Sequence, residues 1–133
     1  MLNLSPAADI PDDLLALCDP LVVNEHEARS LLKRDTDNPA AALLELGARS
    51  VVVTLGADGV VVAGDGDITA ISSPKVTAVD TTGAGDAFTG ALAWRLAAGD
   101  RLDDAARVAV KVGAAAVRKP GAQSSFPRLD ELR

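Results

Sequence analysis

Aromatic residues are almost absent from this sequence, which has no tyrosine, one tryptophan and two phenylalanines among 133 residues. A hydrophobic core therefore has to be packed with alanine, valine and leucine, and Phe88 and Trp94, on one predicted helix, are expected in it rather than stacked on a ligand. Since Cys18 is the only cysteine, no internal disulfide can form, and Cys18 is expected to be a buried small hydrophobe. The single histidine, His26, excludes a histidine-based metal cluster and a Ser-His-Asp triad.

Basic residues are also scarce. Lysine and arginine number 13 against 19 aspartates and glutamates, which gives a formal net charge of −6. That balance argues against nucleic acid or an anionic membrane surface as a partner. No apolar run approaches eighteen residues and no basic leader begins the chain. The expectation is a soluble, cytoplasmic protein without a membrane partner.

The length fits a single α/β domain over residues 1–133. Hydrophobic patterning predicts helices over 11–18, 24–33, 38–46 and 102–119 and another that ends at Ala98, with strands over 21–23, 50–55, 60–63 and 68–71. The strand at 50–55 has no polar alternation, which indicates burial on both faces, as in a parallel sheet. Only one predicted strand precedes residue 50. The sheet is therefore either small or part of a longer chain.

The stretch Asp80-Thr-Thr-Gly-Ala-Gly-Asp86 is read as a strand end, a glycine turn and the start of an apolar helix. Glycines bring backbone amides close to a ligand, and the N-terminal turn of a helix favours an anion. A carboxylate beside such a cradle is suited to phosphoryl transfer, as the base for an attacking hydroxyl. The alternative is that Asp86 only stabilises the helix dipole and the glycines only form a turn.

Two further motifs have similar pairs of interpretations. Thr54-Leu-Gly56-Ala-Asp58-Gly59 follows a buried strand and is either a phosphate-binding loop or a hairpin turn. Asn24 and Glu27 place an amide at a strand end and a carboxylate one helical turn later, where Asn24 could bind phosphate and Glu27 could hold Mg²⁺ through water. Alternatively, the two residues form a capping box, which satisfies backbone amides at the helix N-terminus.

Together, in this order and spacing, the three motifs resemble the ribokinase family of carbohydrate kinases (the phosphofructokinase B type). The resemblance covers nearly the whole chain, and the segments 3–7 and 121–127 are most similar to the ribokinase branch. It implies a three-layer (α/β/α) Rossmann-like sheet, of which this chain is the C-terminal, nucleotide-binding and catalytic half. Family members are about twice this length, and their N-terminal half carries most of the sugar site.

The resemblance also implies roles for individual residues. Asp86 is the base that deprotonates the sugar hydroxyl, and Gly83, Ala84 and Gly85 form the anion hole. The residues that hold ATP are Asn24, Thr54, Gly56, Asp58 and Gly59, while Glu27 assists Mg²⁺. A monovalent cation, usually K⁺, is held at the positions that match Asp80, Thr82, Ala116, Lys119, Gly121 and Ser125.

The expected function is therefore ATP-dependent phosphorylation of a sugar hydroxyl, with ribose as the favoured substrate. The alternative is a non-catalytic nucleotide-binding module. A purely structural subunit is disfavoured, because all three motifs keep their polar residues. Without the first half of the sugar site, the chain alone is expected to bind Mg·ATP weakly and to phosphorylate sugar poorly. An uncovered sheet edge would favour either self-association or a complementing N-terminal half as a partner.

Overall fold

The structure, a computed structural model, describes residues 1–132; Arg133, the last residue of the predicted domain, lies outside the described residues. The chain divides into two compact units. The first comprises Met1–Gly56 and Val60–Ala70, and the second comprises Ala57–Gly59 and the described residues from Ile71 onward. That residues 1–133 form one domain stays a prediction.

The first unit is built on a mixed β-sheet in the order β1-β2-β3-β4-β5. The strands are β1 (Leu2–Asn3), β2 (Leu21–Asn24), β3 (Val51–Thr54), β4 (Val60–Gly64) and β5 (Asp67–Ile71), of which Ile71 belongs to the second unit. β2 runs parallel to both β1 and β3, whereas β4 is antiparallel to β3. Two strands, β1 and β2, precede residue 50, so the prediction of one strand there is wrong. β1 was missed because its two residues are too few to show a hydrophobic period.

Three helices of the first unit are α1 (Asp12–Leu15), α2 (Glu25–Leu32) and α3 (Pro39–Leu46). α3 begins where the sequence favours it: Asn38 accepts a hydrogen bond from Ala41 N–H at 3.2 Å, and proline occupies the first helical position. It ends at Gly47, whose φ of +133° favours glycine. Local sequence therefore sets both ends of this helix.

The core of the first unit is aliphatic, as the scarcity of aromatic residues requires. Val51, Val52 and Val53 are fully buried, which confirms the predicted burial on both faces for the middle of the strand at 50–55, whereas Thr54 and Leu55 are half-buried. Leu43 of α3 is also fully buried, and Cys18 is 3% exposed, as expected. Burial raises the pKa of the Cys18 thiol.

The second unit contains a helical hairpin of α4 (Ala84–Ala97) and α5 (Leu102–Ala116), followed by 3₁₀ turns at Gln123–Ser125 and Leu129–Leu132. Small residues let the two helices approach closely. A Cβ built on Gly113 of α5 would lie 3.6 Å from both Ala84 O and Phe88 Cβ. Leu92 of α4 is fully buried at this hairpin. In residues 1–132, no helix has the length and apolar character needed to cross a membrane.

Of the two aromatic residues on α4, only Phe88 is in the core, with 5% exposure. Trp94 is 47% exposed, and the guanidinium of Arg95 lies over its ring, 5.0 Å from the centroid. The prediction for Trp94 is therefore wrong. A spacing of six residues separates two side chains by roughly 120° around a helix, so they cannot share one face.

We predict that Leu43→Ala lowers the free energy of unfolding by about 2–5 kcal/mol, because it leaves a cavity in the first unit. Leu46→Ala on the same helix is the matched control, since Leu46 is 45% exposed; we expect a loss below about 1 kcal/mol. Urea denaturation followed by circular dichroism measures both. Equal losses would contradict this account of the core.

Candidate functional site

Asn24 and Thr54 lie side by side at the carboxyl ends of two neighbouring parallel strands. The register of β2 and β3 pairs them directly. Asn24 is exposed, whereas Thr54 is half-buried, with its hydroxyl 3.5 Å from Val23 O. Ligands in α/β sheets bind beyond the carboxyl ends of parallel strands, so this pair is in a position suited to ligand binding.

Asn24 and Glu27 form the capping box that the sequence allowed. Asn24 Oδ1 accepts a hydrogen bond from Glu27 N–H, and Glu27 Oε2 accepts one from Asn24 N–H, both at 2.8 Å. Glu27 is only 6% exposed. The capping box does not use the side-chain nitrogen of Asn24, Nδ2, which has no hydrogen-bond acceptor within residues 1–132. Phosphate binding by Asn24 and assistance to Mg²⁺ by Glu27 stay predictions.

The loop after β3 connects it to the antiparallel β4, so the hairpin interpretation is also realised. Gly56 has a φ of +58° at the start of the 3₁₀ turn Gly56–Asp58. Asp58 and Gly59 belong to the second unit, where Asp58 is exposed. Gly59 has a φ of +107°, and a Cβ there would overlap Ile71 O and lie 2.8 Å from Ser73 N. Glycine is therefore required at position 59 by both conformation and packing.

The N-terminus of α4 presents free hydrogen-bond donors. Gly83 caps the helix with a φ of +76°, and Asp86 stands exposed in its first turn. Among the residues that the structure describes, the N–H groups of Gly83, Gly85 and Asp86 donate no hydrogen bond, whereas Ala84 N–H reaches Thr81 O at 3.2 Å. Free donors at the positive end of a helix dipole favour an anion. Three of the four N–H groups from 83 to 86 are thus available to a ligand.

The loop 119–125 packs against this turn, where the family resemblance places it by grouping Gly121 and Ser125 with Asp80 and Thr82. A Cβ on Gly83 would lie 3.1 Å from Ala122 Cα and 3.2 Å from both Ala122 Cβ and an edge carbon of the Phe126 ring. Apart from that resemblance, the only signal in the sequence is the small residue at 122 after Pro120 and Gly121. Such a long-range contact leaves no periodic trace in the chain.

The Asp80 carboxylate connects the same loop to the turn before α4 by hydrogen bonds. Oδ1 accepts a hydrogen bond from Thr82 N–H and Oδ2 accepts one from Gly121 N–H, both at 2.9 Å. The Thr82 side chain, the Gly121 N–H and the Thr82 N–H, in that order, lower the pKa of Asp80 to about 2. Asp80 is therefore a carboxylate across the physiological pH range.

The other predicted cation ligands lie on the same loop or at the end of α5. Ser125 is fully buried and its hydroxyl donates to Ala122 O at 2.6 Å. Lys119 N–H lies 3.4 Å from Ala116 O. Together with Asp80, Thr82 and Gly121, these residues offer carboxylate, hydroxyl and carbonyl oxygens, the ligands that hard cations prefer. Residues 1–132 contain no group of three or more His, Cys, Asp or Glu that could hold a metal ion.

The structure thus brings together two sets of predicted residues, one within each unit. Asn24, Glu27 and Thr54 cluster at strand ends of the first unit. In the second unit, hydrogen bonds link Asp80 to Thr82 and Gly121, and packing links the 119–125 loop to Gly83. The chemical role of each residue stays a prediction.

We predict that Gly83→Ala destabilises the protein, by about 1–2 kcal/mol for the left-handed backbone alone, and by more if the loop cannot yield. Gly90→Ala is the control, because Gly90 lies inside α4 and a Cβ there meets nothing within 4 Å. That change should stabilise by roughly 0.5–1 kcal/mol. Thermal or urea unfolding compares the two, and the same sign for both would refute the contrast.

We further predict that Thr82→Val raises the pKa of Asp80, because it removes a side-chain donor to the carboxylate. The pKa of Asp80 is depressed, so its contribution to folding stability is present above its ordinary value of 3.8 and is lost as the pH falls toward 2. In the variant the contribution at neutral pH should be smaller, and its loss, which begins near 3.8 in both proteins, should be complete at a higher pH. Carbon-13 NMR titration of the Asp80 carboxyl measures the shift. Thr81→Val is the control, and an equal response there would contradict the assignment.

Comparison with known proteins gives a match to the pfkB family of carbohydrate kinases over residues 2–129. Ribokinase from Schizosaccharomyces pombe is 39% identical over 142 residues, which cover 99% of this chain and 45% of that protein. The crystal structure of ribokinase from Thermotoga maritima matches with a TM-score of 0.89 and 34% identity, over 98% of this chain and 46% of the other.

The structure of Arabidopsis thaliana ribokinase complexed with ribose and ATP matches with a TM-score of 0.84 and 32% identity, over 94% of this chain and 43% of the other. These similarities confirm the predicted ribokinase-like α/β fold. This chain spans less than half the length of these three relatives. The family match nevertheless extends over nearly the whole chain, which therefore belongs to the pfkB family of carbohydrate kinases.

Proposed function

We propose that this chain supplies the nucleotide-binding and phosphoryl-transfer part of an ATP-dependent sugar kinase, with ribose as the favoured acceptor. The observation that carries the proposal is the N-terminus of α4. There, within residues 1–132, the N–H groups of Gly83, Gly85 and Asp86 donate no hydrogen bond, and the Asp86 carboxylate is exposed. In a chain that belongs to a carbohydrate kinase family, this arrangement matches what phosphoryl transfer needs.

In the proposed reaction Asp86 accepts the proton of a sugar hydroxyl. The hydroxyl oxygen forms a bond to the γ-phosphorus of ATP as the bond from that phosphorus to the β,γ-bridging oxygen breaks, and ADP leaves. The free N–H groups stabilise the negative charge on the transferred phosphoryl group. Ala84 N–H is committed to Thr81 O, so we assign the donor role to Gly83, Gly85 and Asp86. Ala84 keeps the anion hole in shape through that turn.

For the nucleotide, we propose phosphate contacts from Asn24, Thr54 and Gly56, with Asp58 and Gly59 shaping the following turn. The free amide nitrogen of Asn24 is a suitable donor to phosphate oxygen. Mg²⁺ binds in kinases chiefly through water and substrate phosphates. Glu27 can assist such an ion through a single oxygen. Its Oε2 is used by the capping box, and its other oxygen is left to hold a metal-bound water.

For the monovalent cation, we propose K⁺ on the oxygen atoms of Asp80, Thr82, Ala116, Lys119, Gly121 and Ser125. The charged Asp80 carboxylate and the buried Ser125 fit such an ion. Bound there, K⁺ would add positive charge and order to the loop that packs on Gly83.

Ribose as the acceptor rests on similarity to ribokinases, of which the Arabidopsis thaliana enzyme is complexed with ribose and ATP. A second candidate, from the same family resemblance, is a nucleotide-binding module that does not turn over sugar by itself. The two candidates differ in one observable. A kinase part transfers phosphate once an acceptor site is supplied, whereas a binding module does not.

We predict that Asp86→Asn lowers kcat by ~10²-fold or more with little change in ATP affinity, since a positioned base contributes ~10²–10⁴. Because the chain alone is expected to turn over sugar poorly, it is assayed fused to the part of the Schizosaccharomyces pombe ribokinase that it does not cover. Ribose-dependent ADP release gives kcat, and calorimetric titration of Mg·ATP gives the affinity.

Asp104→Asn is the matched control, because Asp104 is an exposed acid in the first turn of α5. Its kcat shows the effect of removing a carboxylate from a helix N-terminus that has no proposed role in the reaction. A near-normal kcat in the Asp86 variant would refute its role as the base. Mg·ATP binding without phosphoryl transfer in the unsubstituted fusion would favour the binding module.

A further inference from the structure

The 3₁₀ turn Leu129–Leu132 is fastened by both oxygens of a single carboxylate. Glu131 Oε1 accepts a hydrogen bond from Lys119 Nζ at 2.6 Å, and Oε2 accepts one from Arg128 N–H at 2.7 Å. The second bond closes the turn on itself. The first bond joins it to a residue twelve positions earlier in the chain.

The same turn also has an apolar attachment. Leu129 and Leu132 line a groove of about 300 Å³ together with Trp94 and Arg95 of α4 and Val108 of α5. The turn contacts α5, although Leu129 is 62% exposed, so this apolar attachment is only partial. Glu131 joins the same turn to Lys119, so the turn can act as a brace between α5 and that residue.

Lys119 begins the loop 119–125, which contacts two features of the candidate site. Gly121 N–H donates to Asp80, and Ala122 packs against Gly83. Among the described residues, the one further hydrogen bond that Lys119 makes is a long backbone one, of 3.4 Å, to Ala116 O. Its side chain is thus the better-defined connection at the start of the loop.

We propose that Glu131 is a positioning residue, which by holding the side chain of Lys119 keeps the loop 119–125 in place against Asp80 and Gly83. The effect of Glu131 on the position of the loop is inferred from these contacts alone. Its consequence for K⁺ rests on the proposed function. The side chains of Lys119 and Glu131 are 49% and 40% exposed, and pairs of this kind contribute modestly. We therefore expect an effect of a few fold.

The test compares Glu131→Gln with Asp130→Asn, a control on the same turn whose exposed carboxylate has no hydrogen-bond partner within residues 1–132. Hydrogen exchange of the Gly121 amide reports how often the loop opens, and the buried α5 residue Ala109 serves as the internal reference. We expect Gly121 exchange roughly two- to five-fold faster in Glu131→Gln, with no change at Ala109 or in Asp130→Asn.

A double-mutant cycle with Lys119→Met separates the contact from general effects, because methionine keeps most of the side-chain length. The Glu131→Gln effect on Gly121 should disappear in the Lys119→Met background. Additive effects, equal acceleration at Ala109, or no difference from the Asp130 control would each overturn the inference.

The readout for K⁺ is the difference in Tm between equal concentrations of KCl and NaCl, which removes the effect of screening. We expect the unsubstituted chain to be more stable in KCl, and Glu131→Gln to reduce that difference while Asp130→Asn does not. If the unsubstituted chain shows no preference yet Gly121 responds as predicted, the cation role fails and the positioning role stands. A full K⁺ preference in Glu131→Gln would overturn the link between Glu131 and the cation.

Discussion

The carboxylate of Asp80 is the interaction on which the candidate site of the second unit depends. One oxygen orders the turn that leads into α4, and the other holds the loop that follows α5. These two segments are 41 residues apart in the chain. Because the lowered pKa keeps the carboxylate ionised at physiological pH, both attachments are charge-assisted and stronger than neutral hydrogen bonds. The geometry of Gly83 and its neighbours follows from this constraint.

The N-termini of α2 and α4 differ in how their unpaired backbone N–H groups are satisfied. At α2, the capping box satisfies backbone donors with side chains, and the Asn24 side-chain nitrogen has no acceptor among residues 1–132. At α4, within the part of the chain that the structure describes, no side chain caps the helix and three backbone donors have no acceptor. An uncapped N-terminus costs stability, typically about 1 kcal/mol. Retaining that cost at α4 is consistent with the proposal that an anion takes the place of the cap.

The electrostatics of the chain agree with a backbone-based site. With a net charge of −6 the protein as a whole repels phosphate. Amide dipoles at a helix end attract an anion locally without adding net charge, and their effect falls off within one turn. The inferred brace through Glu131 and the proposed cation would both act on the loop 119–125. Because that loop packs on Gly83, the position of the N–H donors at the start of α4 depends on contacts from outside the helix.

Much of the fold could be predicted from the sequence, because its signals are local. The limits of α3 followed its cap Asn38 and its breaker Gly47, and the valines of β3 indicated burial on both faces. The helices predicted over 11–18 and 102–119 are shorter, at Asp12–Leu15 and Leu102–Ala116, and the strand end predicted at Asp80 is wrong, because no strand lies between Ile71 and α4. β1 could not be predicted, since two residues show no period and only the pairing with β2 makes them a strand. Trp94 was placed in the core by spacing, although its direction around the helix takes it to the surface.

For the candidate site, the sequence by itself determined which residue types stand at the strand ends and at the helix N-terminus. Only the tertiary structure decided which of their atoms are already used. It showed Asn24 and Glu27 in a capping box, Ala84 N–H committed to Thr81, and Ala122 packed on Gly83. A motif specifies chemistry through neighbours in the chain, whereas the free donors of a site depend on contacts between segments far apart in it, and no local pattern encodes those.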